Sequence, residues 1–285
     1  MKKILVATDF STRSDRAIRR GVLLAKEFDA AVTLLHVVDN DQPERILRAE
    51  RLAASALLSE QAASLGKIDG VACDHSIALN DPFEGILDSV RQISPDLLVL
   101  GPHRRQALRD VFVGTTAERS IRASPRPVLM ANGVPAGFYR HLLIATDLAA
   151  GAGHVARAVL DLGLTARAKV SVVHAHDIPA AGLIARAQMT ESEIRDYLAD
   201  EHDQAAGALA SFVAEQRLPA ASQVVRLNET SEADVICSVA KELAADLIVV
   251  GTRSRGGLAT LVLGSVAQQV LGMSDVDVLA IPPGA

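Results

Sequence analysis

The chain has 285 residues, 49% of them hydrophobic, and its 29 Lys and Arg stand against 34 Asp and Glu for a net charge of −5. That is enough apolar material for two cores of ordinary size, and the acidic balance argues against broad nucleic-acid binding, which depends on neutralising phosphates. Two isolated cysteines, Cys73 and Cys237, suit a reducing compartment; no apolar run approaches the ~18 residues of a membrane span, and Asp9 cuts the apolar start too short for a signal peptide, so a soluble cytoplasmic protein is expected.

In chain order, short unbroken apolar runs at Ile4–Ala7, Val32–Leu35, Leu97–Leu100 and Pro127–Met130 predict strands. Continuous rather than alternating apolar strands are buried on both faces, as in a parallel sheet covered by helices. Helical segments separate them: Ala17, Val22, Leu24 and Ala25 line the inner face of one, and Ile46, Leu47, Leu52, Leu57 and Leu58 that of another. Asp81-Pro82 predicts a helix start, with Asp as cap and Pro at the first helical position, and the polar Val71–Ile77 an edge strand. The stretch Asn132–Gly137 lacks periodicity and contains Gly and Pro, which places a boundary between domains 1–134 and 139–285. A link of about six to eight residues spans at most ~25 Å, so the domains must lie side by side. The second half then offers strands at Leu142–Ala145, Val170–Val173, Leu247–Val250 and Val278–Ile281, with an edge strand at Ser222–Leu227. Its longest helix opens at Thr190 with Glu193 three residues on, a capping-box pattern.

The two halves are copies. ILVATDF at Ile4–Phe10 matches LLIATDL at Leu142–Leu148, making Asp9 and Asp147 equivalent at an offset of 138, and His36 pairs with His174 at the same offset. DLLVLG at Asp96–Gly101 matches DLIVVG at Asp246–Gly251 at an offset of 150, so the second copy carries a 12-residue insertion between His174 and Asp246. A period this long is a whole small domain rather than a solenoid unit. Each copy reads as five strands alternating with four helices, an α/β doubly wound layer.

Ligands of such sheets bind beyond the carboxyl ends of the strands where strand order reverses. That directs attention to Ala7-Thr8-Asp9 with Gly101, and to Ala145-Thr146-Asp147 with Gly251. After the fourth strand of each copy come Gly114-Thr115 and Gly264-Ser265, small hydroxyl residues where a helix begins and free N–H groups suit an anion.

This constellation resembles the universal stress protein family, in tandem form. Its ATP-binding branch carries G-x2-G-x9-G-[S/T] after the fourth strand, with an Asp ending the first. The second copy reads Gly251, Ser254, Gly264-Ser265 at that spacing, and the first reads Gly101, Arg104, Gly114-Thr115. The resemblance implies an adenine nucleotide alpha hydrolase-like fold with strand order 3-2-1-4-5, a non-enzymatic stress-response role, and binding of ATP or another adenine nucleotide, with Mg as an optional companion ion. The second copy would hold it with Ala145, Thr146, Asp147, Ala175, Gly251, Arg253, Ser254, Gly264, Ser265 and Val266. In the first copy Arg104 stands where a glycine would admit close backbone approach, so the site of Asp9, Val37, Gly101, Arg104, Gly114 and Thr115 would be degenerate and empty. The resemblance also implies pairing of the last strands, Pro127–Met130 with Val278–Ile281, as an internal pseudo-dimer. It leaves dimerisation of the whole chain and any protein partner open; the charge balance and the lack of long apolar runs lead us to expect no nucleic-acid or membrane partner.

Structural uses compete for the same residues. Asp9 and Asp147 would serve equally as caps of the following helix, Gly114-Thr115 and Gly264-Ser265 as plain N-caps, and His36 and His174 as packed histidines. His174-x-His176-Asp177 and Cys73-Asp74-His75 lack a further ligand for a metal. A nucleotide-free interaction scaffold is the alternative reading, and slow ATP hydrolysis or adenylyl transfer a third, with no Walker A sequence to support it.

Overall fold

The computed structural model describes residues 1–102, 115–149, 151–177, 190–228, 230–252 and 263–284. The apolar runs form the strands. In the first half these are β1 (Lys3–Ala7), β2 (Ala31–Val38), β3 (Cys73–Leu79), β4 (Leu97–Leu100) and β5 (Val128–Met130); in the second, β6 (His141–Ala145), β7 (Lys169–His176), β8 (Ala220–Leu227), β9 (Leu247–Gly251) and β10 (Asp277–Ile281). Between them lie α1 (Thr12–Phe28), α2 (Glu44–Ser64), α3 (Pro82–Ile93), α4 (Thr116–Ala123), α5 (Gly153–Leu162), α6 (Glu191–Glu215), α7 (Glu232–Glu242) and α8 (Ser265–Met273). Asp81 caps α3 through the N–H groups of Phe83 and Glu84, and Thr190 and Glu193 form the capping box of α6. The stretch between β7 and α6 is longer than that between β2 and α2, which accounts for much of the insertion; residues 178–189 of it lie outside the described residues.

All ten strands join one sheet, in the order β3-β2-β1-β4-β5-β10-β9-β6-β7-β8. Each half has the order 3-2-1-4-5 and is parallel throughout, with the weakly apolar β3 and β8 at the outer edges. The halves meet where β5 pairs antiparallel with β10, Leu129 opposite Leu279, which is the pairing expected of the two last strands. Because the seam is antiparallel, the carboxyl ends of the strands of the two halves lie at opposite rims of the sheet. One apolar layer on each sheet face draws buried residues from both halves, Leu129 with Leu279 on one side and Val128 with Val278 on the other.

The seam is fastened by a buried polar cluster. Arg20 of α1 and Asp277 of β10 are 6% and 1% exposed and form an ion pair at 2.7 Å. Asp277 also accepts from the Tyr139 hydroxyl and the Gly133 N–H, while Arg20 donates to the Gly137 carbonyl and lies 4.3 Å from the Tyr139 ring centre. Burial pushes the Asp277 carboxyl up, against the pull of Arg20 and its other donors; burial and the neighbouring Asp277 push the Tyr139 phenol well above its ordinary value, so it remains a donor. The amide of Asn132 bonds the carbonyls of Ser274 and Val276. Thus the connecting segment is tied to both halves.

The repeated Asp at the start of the fourth strand also has a structural use. Asp96 accepts from the N–H groups of Lys2 and Lys3, and Asp246 from those of Arg140 and His141, so each clamps the start of its neighbouring first strand. One expectation holds only in part. Leu58 of the expected lining of α2 is buried, whereas Ile46, Leu52 and Leu57 are 46%, 73% and 52% exposed; the helix seats through Ala54, Leu58 and Ala62, spaced four apart.

Two stability measurements follow. Asp277→Ala leaves Arg20 and Tyr139 buried without their acceptor and is expected to cost about 3–5 kcal/mol in urea unfolding; a loss below about 1 kcal/mol would show that the cluster does not hold the seam. For Asp96, burial raises the carboxyl pKa, but the two N–H donors outweigh it and hold the group below its ordinary 3.8. The folded pKa lies under the unfolded one, so this contribution is fully present above pH 3.8 and lost as pH falls through the folded value. Asp96→Asn should therefore lie below the parent in stability at neutral pH and converge towards it in acid; a gap that widens in acid would contradict this.

Candidate functional site

At the end of each first strand the chain must turn sharply into a helix. Phe10 and Leu148 make that turn with φ of 59° and 55°, a left-handed conformation that is strained for residues with a side chain. Each turn is fixed by its neighbours. The Thr8 and Thr146 hydroxyls accept the N–H of Phe10 and Leu148, and Asp9 and Asp147 accept the N–H of Ser11 and Ala149, two residues ahead. The aspartates therefore shape the turns and cap neither helix. His36 and His174 donate from Nδ1 to the carbonyls of Thr8 and Thr146 at 2.8 and 2.9 Å, so these packed histidines pin the strand ends beneath.

Beyond that shared frame the copies diverge. In the first, Ser11 caps α1, which starts at Thr12; in the second, α5 starts only at Gly153, after Gly151 and Ala152, with no side-chain cap. At the repeat offset of 138 that is three residues later. A Cβ on Gly101 would lie 2.9 Å from the Arg13 carbonyl oxygen and 3.1 Å from the Ser14 Cα, so the backbone of α1 sits on this glycine. A Cβ on Gly251 would meet only side chains, Val155 Cγ2 at 3.1 Å and the His154 ring at 3.7 Å. Asp9 also accepts the Ser11 hydroxyl, and Thr8 bonds Ser14, so the first cleft spends its polar groups internally. Burial raises the Asp9 pKa, but the hydrogen bonds from Ser11 and Ser14 outweigh it and hold the carboxyl low.

The helix after the fourth strand differs likewise. Thr115 is the N-cap of α4 and its hydroxyl accepts the Glu118 N–H at 3.1 Å. In the second copy the cap position moves to Gly264, which has no side chain to offer, and Ser265 becomes the first residue of α8. The Gly264 N–H bonds the Thr252 carbonyl, which leaves the first-turn N–H groups of Ser265, Val266 and Ala267 without a side-chain cap. Gly264 has φ of −59°, open to any residue, and lines the cavity described next.

The resulting cavities measure about 350 Å³ in the first copy and about 530 Å³ in the second. The second is lined by Ala145, Thr146, Asp147, Ala175, Gly251, Gly264, Ser265 and Val266, every expected site residue of that copy within the described residues. Arg253 and Ser254 lie outside them, as do Arg104 and Gly114 of the first copy. In the first cavity the structure brings together Asp9, Val37 and Gly101, whereas Thr115 serves as a cap. The sequence reading missed Gly151, Ala152, His154 and Glu232 in the second cavity. The run Gly151-Ala152-Gly153, where the first copy has Arg13-Ser14-Asp15, was the available signal for the opened helix start. The amino ends of α5, α7 and α8 all reach this cavity, a field that favours an anion. Among the described residues no group of three His, Cys, Asp or Glu is placed to hold a metal.

The sequence profile of the Universal stress protein family matches residues 1–132 and 138–282. A universal stress protein of Methanocaldococcus jannaschii is 31% identical over 138 residues, covering 45% of this chain and 81% of that one. One from Mycolicibacterium smegmatis is 25% identical over an alignment of 309 residues, covering 98% of this chain and 97% of that one. In fold, the crystal structure of a universal stress protein from Archaeoglobus fulgidus superposes with a TM-score of 0.67 at 17% identity, over 99% of this chain and 98% of that one.

The two glycines give a paired test of the different packing. Gly101→Ala drives a methyl into backbone and should lower stability by about 1–3 kcal/mol. Gly251→Ala presses on a valine methyl that has room to shift, and its loss should be at least about 1 kcal/mol smaller. Thermal unfolding of both variants checks the order; equal losses would contradict it.

Proposed function

The chain belongs to the universal stress protein family, with two copies of the family's domain in tandem, and on that premise we propose that it is a non-enzymatic stress-response module whose second domain binds one ATP or related adenine nucleotide per chain. We place the domains at 1–134 and 139–285. The observation that carries the reading is the uncapped first turn of α8 facing the 530 Å³ cavity, against the self-capped α4 and smaller cleft of the first domain. Phosphates would meet the N–H groups at Ser265 and Val266, with Ser254 and Arg253 completing the loop; the base and ribose would lie towards Asp147, Thr146, Ala145 and Ala175. Mg would arrive with the phosphates. The first domain, with Arg104 in its loop and its polar groups paired internally, is proposed to stay without nucleotide.

An anion at a helix end gains only about 0.3–2 kcal/mol, whereas micromolar affinity requires about 8 kcal/mol. Contacts along the glycine loop and the base pocket must supply the remainder, which makes closure of the backbone around Gly251 and Gly264 decisive. A partner-binding role is favoured by one observation, the outward Ile46, Leu52 and Leu57 of α2 with Ile68 beyond it; it operates on another surface and is compatible with a bound nucleotide. No described helix is long and apolar enough to cross a membrane, and a cytoplasmic setting, without a nucleic-acid partner, is part of the proposal.

Calorimetric titration with ATP is expected to give one site per chain. Gly264→Val, at a position whose backbone accepts valine, should keep stability within about 1 kcal/mol of the parent and abolish binding by filling the cavity wall. Gly114→Val should bind ATP like the parent. Two equal sites, or parental affinity in Gly264→Val, would overturn the assignment, and a parent that binds no adenine nucleotide would leave the scaffold reading.

A further inference from the structure

The helix α2 is docked on the fold by a narrow strip. Of its 21 residues, Ala54, Leu58 and Ala62 are the buried ones, and they rest over β2 and β3 at one outer edge of the sheet. The opposite face is apolar and exposed. Ile46, Ala49, Ala53, Ala56, Glu60 and Ala63 follow one another there at alternating spacings of three and four, with the exposed Leu52 and Leu57 on the two flanks of the row. A row with this period is the seam by which one helix packs on another. The corresponding helix of the second half, α6, carries Glu191, Glu193, Asp196, Asp200 and Asp203 at exposed positions instead, so the apolar outer face belongs to α2 and not to the repeat.

Charge identifies the occupant of this face. Three basic residues of α2, Arg45, Arg48 and Arg51, are balanced by three acids, Glu44, Glu50 and Glu60. An anionic lipid surface would call for an excess of Lys and Arg, and a strongly charged protein for an excess of one sign. The two signs are instead separated along the exposed face, with Arg45 near its amino end and Glu60 near its carboxyl end. Arg48 is taken up by Glu44 within the helix, whereas Arg45 and Glu60 make no ion pair among the described residues. Such a face is complementary to itself turned end for end. With a two-fold axis crossing the row midway between Ala53 and Ala56, α2 of a second copy sets its Leu57 beside Leu52 and its Ala56 beside Ala53. It also brings its Glu60 within about one helical turn of Arg45, at both ends of the seam. The alanines at the crossing let the helix axes approach to the close end of the ~8–10 Å range. The acidic face of α6 from a second copy would bury carboxylates against these leucines, which is costly. We infer that the exposed face of α2 is a dimerisation surface whose partner is the antiparallel α2 of a second copy of this chain. One helix about 30 Å long makes a small interface, about 1,000 Å² in total, and hence a reversible dimer.

The inference goes beyond the nucleotide reading and does not rest on it, since the second cavity is lined by residues of the other half. Sedimentation velocity of the full chain from about 1 to 100 µM tests it, a range suited to a small reversible interface. The parent is expected to pass from one chain to two within that range and to return on dilution. Leu52→Glu and Leu57→Glu, at positions exposed in the single chain, should leave thermal unfolding unchanged. Each puts a carboxylate against a leucine of the other copy and should weaken the dimer at least about tenfold. Arg45→Glu and Glu60→Arg should each weaken it about three- to tenfold. Both changes in one chain should restore it, which a merely adhesive surface would not do. A parent that stays monomeric, assembly that grows past two chains, a dimer indifferent to the leucine variants, or a charge-swapped chain no tighter than the single variants overturns the inference. So does flotation of a monomeric parent with vesicles of phosphatidylcholine and phosphatidylglycerol, lost in Leu52→Glu, which would assign the face to a lipid surface.

Discussion

The antiparallel seam between β5 and β10 is the constraint on which the other features depend. Three short residue pairs join two five-stranded sheets, and so short a ladder relies on the groups around it. Asp277 is the centre of those groups. It lies in the last strand of the second half, yet its partners are Arg20 from the first helix of the chain, Tyr139 before β6 and the backbone at Gly133. A carboxylate this deeply buried is tolerable only with several donors, and each donor comes from a segment whose placement defines how the halves meet. Without the seam, β5 and β10 would both be open edges of apolar residues, an association hazard. With it, the exposed edges are the polar β3 and β8.

The seam also separates the sites. With the halves running in opposite directions, the two clefts open at opposite rims and cannot share a ligand. Each is free to diverge, and the divergence is local. A hydroxyl at the start of the last helix of each half, Thr115 or Ser265, either caps the helix or leaves its N–H groups uncapped, depending on a shift of one residue in where the helix begins. A start delayed by three residues in α5, permitted by Gly151, Ala152 and Gly153 and by the lack of a side-chain cap, replaces backbone with an imidazole beside Gly251. These small changes in helix onset accompany the difference in cavity size, with no change in sheet order.

Much of the sequence identity between the copies is structural. Asp96 and Asp246 hold the start of the first strand of each half, and His36 and His174 hold its end. Asp9 and Asp147 do double duty, shaping the turn after that strand and facing the cavity. Repetition of a residue in this chain therefore marks a joint of the fold in each of these pairs.

The sequence by itself determined what is written in local chemistry. Unbroken apolar runs gave every strand of the sheet core, because burial on both faces leaves no alternation to misread. Asp81-Pro82 and Thr190 with Glu193 located helix starts, because capping involves only three or four neighbouring residues. The offset of the repeats paired Asp9 with Asp147 and His36 with His174, and the residues that the family resemblance named in the second copy line one cavity where they are described. Tertiary structure decided what depends on distant partners. Which face of α2 is buried depended on tertiary contact: Ala54, Leu58 and Ala62 lie on it, and of the larger residues singled out in the sequence only Leu58 is buried. The pairing of Arg20 with Asp277 spans almost the whole chain. That the His154 ring lies beside Gly251 likewise depends on where α5 begins; a lone histidine in a sequence has no such place until its neighbours in space are fixed.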